Sequence, residues 1–428
     1  MKRWIMGAAG VLLLAVIGVG AWLFVPARAP QVVPAQAQAD AAKLHDPALI
    51  ERGAYLAKLG DCAACHTTRG GAPYAGGRPL TTPFGEVSAP NITPDAATGI
   101  GAWHFADFWR ALHEGIGRHG QPLYPVFSYT SFTKVSRDDA LALFAYLKSL
   151  PPVQQPARAP ELQFPYSVRQ GLVAWRALYF QPGEYQPDPK QSPEWNRGAY
   201  LVEGLGHCNE CHTTRNAFGA MDEERRLAGG QIPAQSWYAP DLSMQPGGGL
   251  AGWSQQEIVA LLKTGTSTKG SAFGPMADVV RLSTQHMNDA DLAAVAVYLQ
   301  SLPPRQPVAA APVVRASDHA HGGELYAKRC ADCHGDNGQG VAGTYPPLDD
   351  NTSVTEPTGI NAVRSVLLGG FAPATAGNPQ PYSMPPFAQS LSDTEVAAVV
   401  NYVRQSWGNH AAPVAAGDVS RLRHTPVD

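Results

Sequence analysis

Two cysteines three positions apart, with a histidine directly after the second, occur as Cys62, Cys65 and His66, then as Cys208, Cys211 and His212, and again as Cys330, Cys333 and His334. Side chains in this order suit one piece of chemistry: two thiols add to the edge of a haem while the adjacent imidazole takes one axial face of its iron. All 6 Cys of the chain fall in these pairs, and His follows every pair although it fills only 13 of 428 positions. A zinc ribbon would bring its CxxC pairs together in one small domain, whereas these lie far apart. A redox CxxC needs no trailing His, and disulfides would not come in triplicate with one. The expectation is three covalently bound haem c groups, with the six thiols as attachment points and His66, His212 and His334 as proximal ligands.

A low-spin electron-carrying iron needs a second axial ligand, and Met is the side chain to look for. Met384 lies in Ser383-Met384-Pro385-Pro386-Phe387, shortly before the last helix of its segment, and Met276 follows Gly274-Pro275 in the corresponding loop of the second. Met287 aligns with Leu391 and reads as core, while Met221 and Met244 read as packing. No Met lies between the first motif and Met221, and the equivalent slot falls at Val126 or Phe127, neither of which binds iron. His104, His113 and His119 are the nearby imidazoles. Each reads first as a solvated or hydrogen-bonded side chain, with His119 the best placed surrogate.

The elements that position these groups repeat with them. Arg52-Gly53-Ala54-Tyr55-Leu56 precedes the first motif as Arg197-Gly198-Ala199-Tyr200-Leu201 precedes the second, and both motifs run on into Thr-Thr-Arg. The third keeps only an outline, Gly323-Glu324-Leu325-Tyr326. A middle helix follows in each, over Phe105 to Glu114, Ser254 to Thr264 and Ile360 to Leu368; Ser254 with Glu257 has capping-box spacing. A last helix closes each segment, over Asp138 to Leu150, Asp289 to Leu302 and Asp393 to Trp407, with apolar residues at helical spacing. This order resembles class I cytochrome c, and predicts an all-α chain with no substantial sheet.

Composition agrees with a cofactor-built interior. Gly (43) and Pro (38) make up close to a fifth of the residues, the mark of loop-rich domains whose core a porphyrin completes. With 32 basic and 35 acidic residues and no basic run, nucleic acid is not an expected partner. No dinucleotide fingerprint, nucleophile elbow or further metal box is present. Met1-Lys2-Arg3 precedes an uncharged, mostly apolar run from Trp4 to Val25, long enough to span a bilayer. An uncleaved N-terminal anchor is favoured over a cleaved signal, and either sends the rest across the membrane.

The expected organisation is a transmembrane anchor over 1–25, a linker over 26–45 and cytochrome c domains over 46–155, 191–305 and 319–408. An interdomain segment (156–190), a linker (306–318) and a tail (409–428) complete the chain. Pro26 to Ala42 reads as a flexible tether. Val168, Leu172, Trp175 and Tyr179 form a helical stripe, read as clamped between two haem domains. The tail carries one helical turn, Asp418 to Arg423, and little else.

The runs from Glu194 to Cys208, from Ala272 to Val280 and from Ser383 to Phe387 resemble the triheme cytochrome c subunits of bacterial membrane-bound dehydrogenases, over nearly everything after residue 45. Members of that family serve alcohol, gluconate and fructose dehydrogenases, and related cytochromes serve molybdenum hydroxylases. The resemblance implies a subunit on the periplasmic side of the inner membrane that takes electrons from a flavin, quinoprotein or molybdenum dehydrogenase and passes them to ubiquinone or a terminal oxidase. Carried over residue by residue, it implies Met276 and Met384 as distal ligands. Alcohol and gluconate members have Ala-Met-Pro-Tyr in the region of Phe127, where this chain reads Leu123-Tyr124-Pro125-Val126-Phe127-Ser128-Tyr129. The other class of function open to the sequence is a haem enzyme in its own right, of thiosulfate or peroxide type, using the first iron.

Overall fold

The computed structural model describes residues 34–233, 235–244, 249–304 and 313–425. The expected anchor, Trp4 to Val25, lies outside them, and among the described residues no helix is long and apolar enough to cross a membrane. The chain divides into two compact units, Met1–Leu56 with Cys65–Tyr185, and Ala57–Ala64 with Gln186–Asp428.

In the first unit, the closing helix Arg137–Ser149 starts at Ser136, whose hydroxyl accepts the Asp139 N–H, and buries Leu141, Phe144, Ala145 and Leu147. The helix Pro47–Leu59 crosses it at Gly53. A Cβ there would come within 1.9 Å of the Ala142 carbonyl oxygen, so only glycine permits this approach. Arg52 ties the crossing down through two hydrogen bonds to the buried Asp139 carboxylate, at 2.6 and 2.9 Å. The middle helix Phe105–Glu114 begins at His104 and ends at Gly115, in the left-handed conformation at φ 62°.

The second unit repeats this order twice. Gly198 of the helix Pro193–Tyr200 meets Ala294 of the closing helix Asp289–Gln300, and Gly322 of the helix Ala316–Arg329 meets Ala398 of the closing helix Asp393–Arg404. Arg197 and Asp291 repeat the Arg52–Asp139 pair at 2.7 and 2.8 Å. One more residue separates Arg197 from Cys208 than Arg52 from Cys62, and a π-helical turn, Leu201–Leu205, absorbs it. The middle helices Gln255–Thr264 and Ile360–Leu368 end at Gly265 and Gly369, and Ser254 with Glu257 forms the capping box that its spacing predicts.

Two junctions hold this unit together. Asn361 donates to the Tyr238 carbonyl (2.8 Å) and accepts the Tyr238 N–H (3.0 Å), while the buried Arg364 guanidinium lies 4.9 Å over the Trp237 ring. Ser283 donates to the carbonyl of Leu59 (3.0 Å), and His207 Nε2 lies 3.3 Å from that of Gly60. The backbone entering the first CxxCH motif thereby lies against the backbone entering the second.

Three expectations need correction. The chain is mostly helical but not all-α: Pro79–Thr82 pairs antiparallel with Gly85–Ser88, which pairs in turn with Glu161–Leu162 from the expected interdomain segment. Further two-stranded pairs join Ala228–Ile232 to Trp237–Asp241, Thr266–Ser267 to Gly270–Ser271, and Gly370–Phe371 to Ser383–Met384. Strands of 2 to 5 residues are too short to show an alternating pattern. The expected tether instead contains the helix Pro34–Lys43, with Pro in its first turn, Ala-rich propensity, and Asp40 accepting from Arg137 at 2.7 Å. The tail forms the helix Ala416–Arg423, whose Val419 is fully buried in a core with Val363, Leu367, Val396 and Val400.

The stripe around Trp175 becomes the helix Gly171–Tyr179, none of whose residues is buried. It lies on the first unit, where the Arg169 side chain donates to the Pro122 carbonyl (2.9 Å) and the Arg176 guanidinium lies 5.5 Å over the Tyr129 ring.

Candidate haem-binding sites

Each CxxCH motif is a short helical turn, Cys62–His66, Asn209–His212 after Cys208, and Ala331–His334 after Cys330. Cysteines three apart on such a turn face the same side. None of the six is in a disulfide. Burial, with the neighbouring Cys211 adding to it, pushes the Cys208 thiol up to about 12, and burial beside Cys333 pushes Cys330 up to about 11. Burial and neighbouring negative charge both disfavour the thiolate there.

The histidines share one geometry. His66 Nδ1 lies 2.7 Å from the Pro90 carbonyl oxygen, His212 Nδ1 lies 2.7 Å from that of Pro240, and His334 Nδ1 lies 3.0 Å from that of Pro346. A carbonyl only accepts, so Nδ1 must carry the proton and Nε2 is the nitrogen left for a metal. Burial lowers the pKa of all three imidazoles, partly offset by these carbonyls, which favours the neutral, ligating form. Paired reduced thiols beside an imidazole fixed in this tautomer fit a covalently held haem. Among the described residues no three His, Cys, Asp or Glu side chains cluster as a closed metal site would require.

The three proline carbonyls went unread in the sequence, although Ala89-Pro90-Asn91-Ile92-Thr93 and Ala239-Pro240-Asp241-Leu242-Ser243 repeat the same pattern after their motifs. The function lies in a backbone oxygen, which a search for reactive side chains passes over. Local pairing sets its position: Pro240 lies in the strand Trp237–Asp241, and Pro90 follows the strand Gly85–Ser88.

Met276 lies in the first turn of the helix Pro275–Leu282 and Met384 in the strand Ser383–Met384, each half-buried. Met287 is buried at 4 % exposure and Leu391 at 7 %, both core residues as their alignment predicts. In the first unit, the Leu123 N–H donates to the carbonyl of the helix-capping Gly115; in the second, the Ala272 N–H donates to that of Gly265. Four residues on from these equivalent bonds stand Phe127 and Met276. The hydrogen-bond register therefore selects Phe127, not Val126, as the residue in the Met slot. Phe127 is half-buried, its ring 5.5 Å from that of Phe132.

The three imidazoles near that slot have other places. His104 is the N-cap of the middle helix, its N–H held by Asp107 at 3.0 Å. His113 stacks on Trp109 with ring centroids 4.5 Å apart, at the helix position where Lys263 reaches the Met287 carbonyl. His119 is exposed at the tip of a turn closed by the Ile116–Pro122 bridge.

Comparison with known proteins shows what such a chain is similar to. A family model described as cytochrome c matches residues 50–151 and 319–407. The cytochrome c subunit of a quinone-type alcohol dehydrogenase from Gluconacetobacter polyoxogenes is 40% identical over 399 residues, 89% of this chain and 85% of the relative. The gluconate 2-dehydrogenase cytochrome c subunit of Pantoea cypripedii is 38% identical over 88% of this chain and 90% of its own length. The fructose dehydrogenase cytochrome subunit of Gluconobacter japonicus is 35% identical over 89% of this chain and 84% of the relative. With these relatives matched along most of their length and the CxxCH geometry in place, the chain belongs to the family of cytochrome c subunits of dehydrogenases, electron-transfer subunits that carry covalent haem c and work beside a catalytic partner.

Proposed function

We propose that the chain is a triheme electron carrier, three cytochrome c domains in tandem over 46–155, 191–305 and 319–408, serving a membrane-bound dehydrogenase. The observation that carries this is the threefold recurrence of an imidazole with Nδ1 on a proline carbonyl beside a pair of cysteines outside any disulfide. Cys62 and Cys65, Cys208 and Cys211, and Cys330 and Cys333 hold the three haems by thioether bonds. His66, His212 and His334 would offer Nε2 to iron, and Met276 and Met384 would supply thioether ligands to the second and third haems. When bound, each haem supplies a one-electron couple.

The protein's own part is to fix these groups. The carbonyls of Pro90, Pro240 and Pro346 hold the ring orientation and tautomer of each histidine. The Leu59 and Gly60 carbonyls, bonded by Ser283 and His207, keep the first and second attachment segments side by side, as electron passage between them requires.

The electron donor is a catalytic dehydrogenase of quinoprotein, flavin or molybdenum type, and the acceptor is ubiquinone or a terminal oxidase. The chain works on the periplasmic side of the inner membrane, anchored through Trp4 to Val25. The test is to isolate the chain with its dehydrogenase from membranes and add that enzyme's substrate. The haem absorption bands of the complex should shift to the reduced form, and those of the purified chain alone should not. Substrate oxidation by the purified chain would overturn the reading.

A further inference from the structure

On the reading proposed above, Met276 and Met384 are the distal ligands of the second and third haems, and the equivalent position of the first segment is Phe127. The equivalence rests on matched backbone bonds, Leu123 to Gly115 and Ala272 to Gly265, and not on sequence alignment alone. No Met lies anywhere between Cys62 and Met221.

Nor does the fold bring an imidazole to that slot. The turn that carries His119 is pinned back along the middle helix: Arg118 lies 3.9 Å from Asp107 in the first turn of that helix, as Thr268 bonds Glu257 at the equivalent position in the second unit. The His119 backbone N–H is taken by the Gln121 side-chain oxygen (3.0 Å), which fixes the turn. His113 stacks on Trp109, and His104 caps a helix.

We propose that Phe127 leaves the first haem iron without a protein ligand on its distal side, making that iron a binding site for a small exogenous ligand of the carbon monoxide or cyanide class. Phenylalanine cannot coordinate, and its half-buried ring, packed 5.5 Å from Phe132, keeps the face apolar. Binding is simple coordination, a ligand lone pair to iron, with no change in oxidation state. The inference rests on the three-haem reading of the chain.

The experiment uses the full-length protein loaded with haem and begins with a haem count, which separates failure of the three-haem reading (a count below three) from failure of this proposal. With three haems present, the reduced protein should bind one carbon monoxide per chain. The thioether-to-ferric-iron absorption band of the oxidised protein should correspond to two irons. Phe127→Met should abolish carbon monoxide binding and raise that band by half, while Phe127→Leu should bind carbon monoxide as the parent does, a control for altered packing. His119→Ala should change neither stoichiometry nor spin state. Three thioether-ligated irons in the parent, no carbon monoxide uptake, or a low-spin signal turned high-spin by His119→Ala would each overturn the proposal.

Discussion

His212 Nδ1 lies 2.7 Å from the carbonyl oxygen of Pro240, and the same bond recurs at His66 and His334 although the sequences around the third motif have diverged. What the three segments share most closely is thus a backbone acceptor that sets an imidazole tautomer. Since attachment depends on the thiols and ligation on the ring, the two should separate on substitution. His334→Ala should keep all three haems by mass while one becomes high-spin. Loss of the third haem itself would show that the ring is needed for attachment.

Met276→Leu and Met384→Leu should each lower the potential of one haem, because a thioether ligand favours reduced iron. Each variant should also lose about half of the thioether absorption band if the first iron has no Met. Redox titration reads the first effect. Potentials unchanged in both variants would mean that the distal ligands lie elsewhere.

Gly198→Val should destabilise the second segment by about 1–3 kcal/mol or more, the cost typical of overpacking, because even a Cβ would lie 2.0 Å from the Ala294 carbonyl oxygen. The transition temperature of the haem-loaded protein measures this. Gly171→Ala is the control, since nothing lies within 4 Å of a Cβ there.

The terminal helix should loosen in acid. The Arg423 guanidinium, 2.7 Å from Asp393, holds that carboxyl below its usual pKa, helped by Ser420. A carboxyl depressed in the folded state contributes stability above its unfolded pKa of about 3.9, and that contribution disappears as the pH falls through the folded value. Hydrogen exchange over Ala416–Arg423 should therefore rise at low pH in the parent. In Arg423→Ala it should already be fast at neutral pH. An unchanged pH profile in the variant would remove Asp393 from the account.

Much of this arrangement was legible because short-range rules governed it. The middle helices start and stop where Ser254 with Glu257, Gly115 and Gly265 say they must, since caps and left-handed glycines act within one turn. The closing helices start within one residue of their expected positions for the same reason, and end one to three residues early. The two-residue strands around Thr266 and Gly370 carry no period, and their pairing is fixed by closure of the loop after a helix. The composition of Pro34–Lys43 suits a linker as well as a helix, and only packing through Asp40 to Arg137 decides between them. The register that selects Phe127 over Val126 resides in backbone bonds, which residue counting could narrow but not resolve.

The mass of the intact mature chain tests the central claim most directly. Three complete motifs, each with a pair of cysteines outside any disulfide and an imidazole held by a carbonyl, predict a chain heavier than its polypeptide by three haems. A mass fitting two haems, one or none would contradict the account.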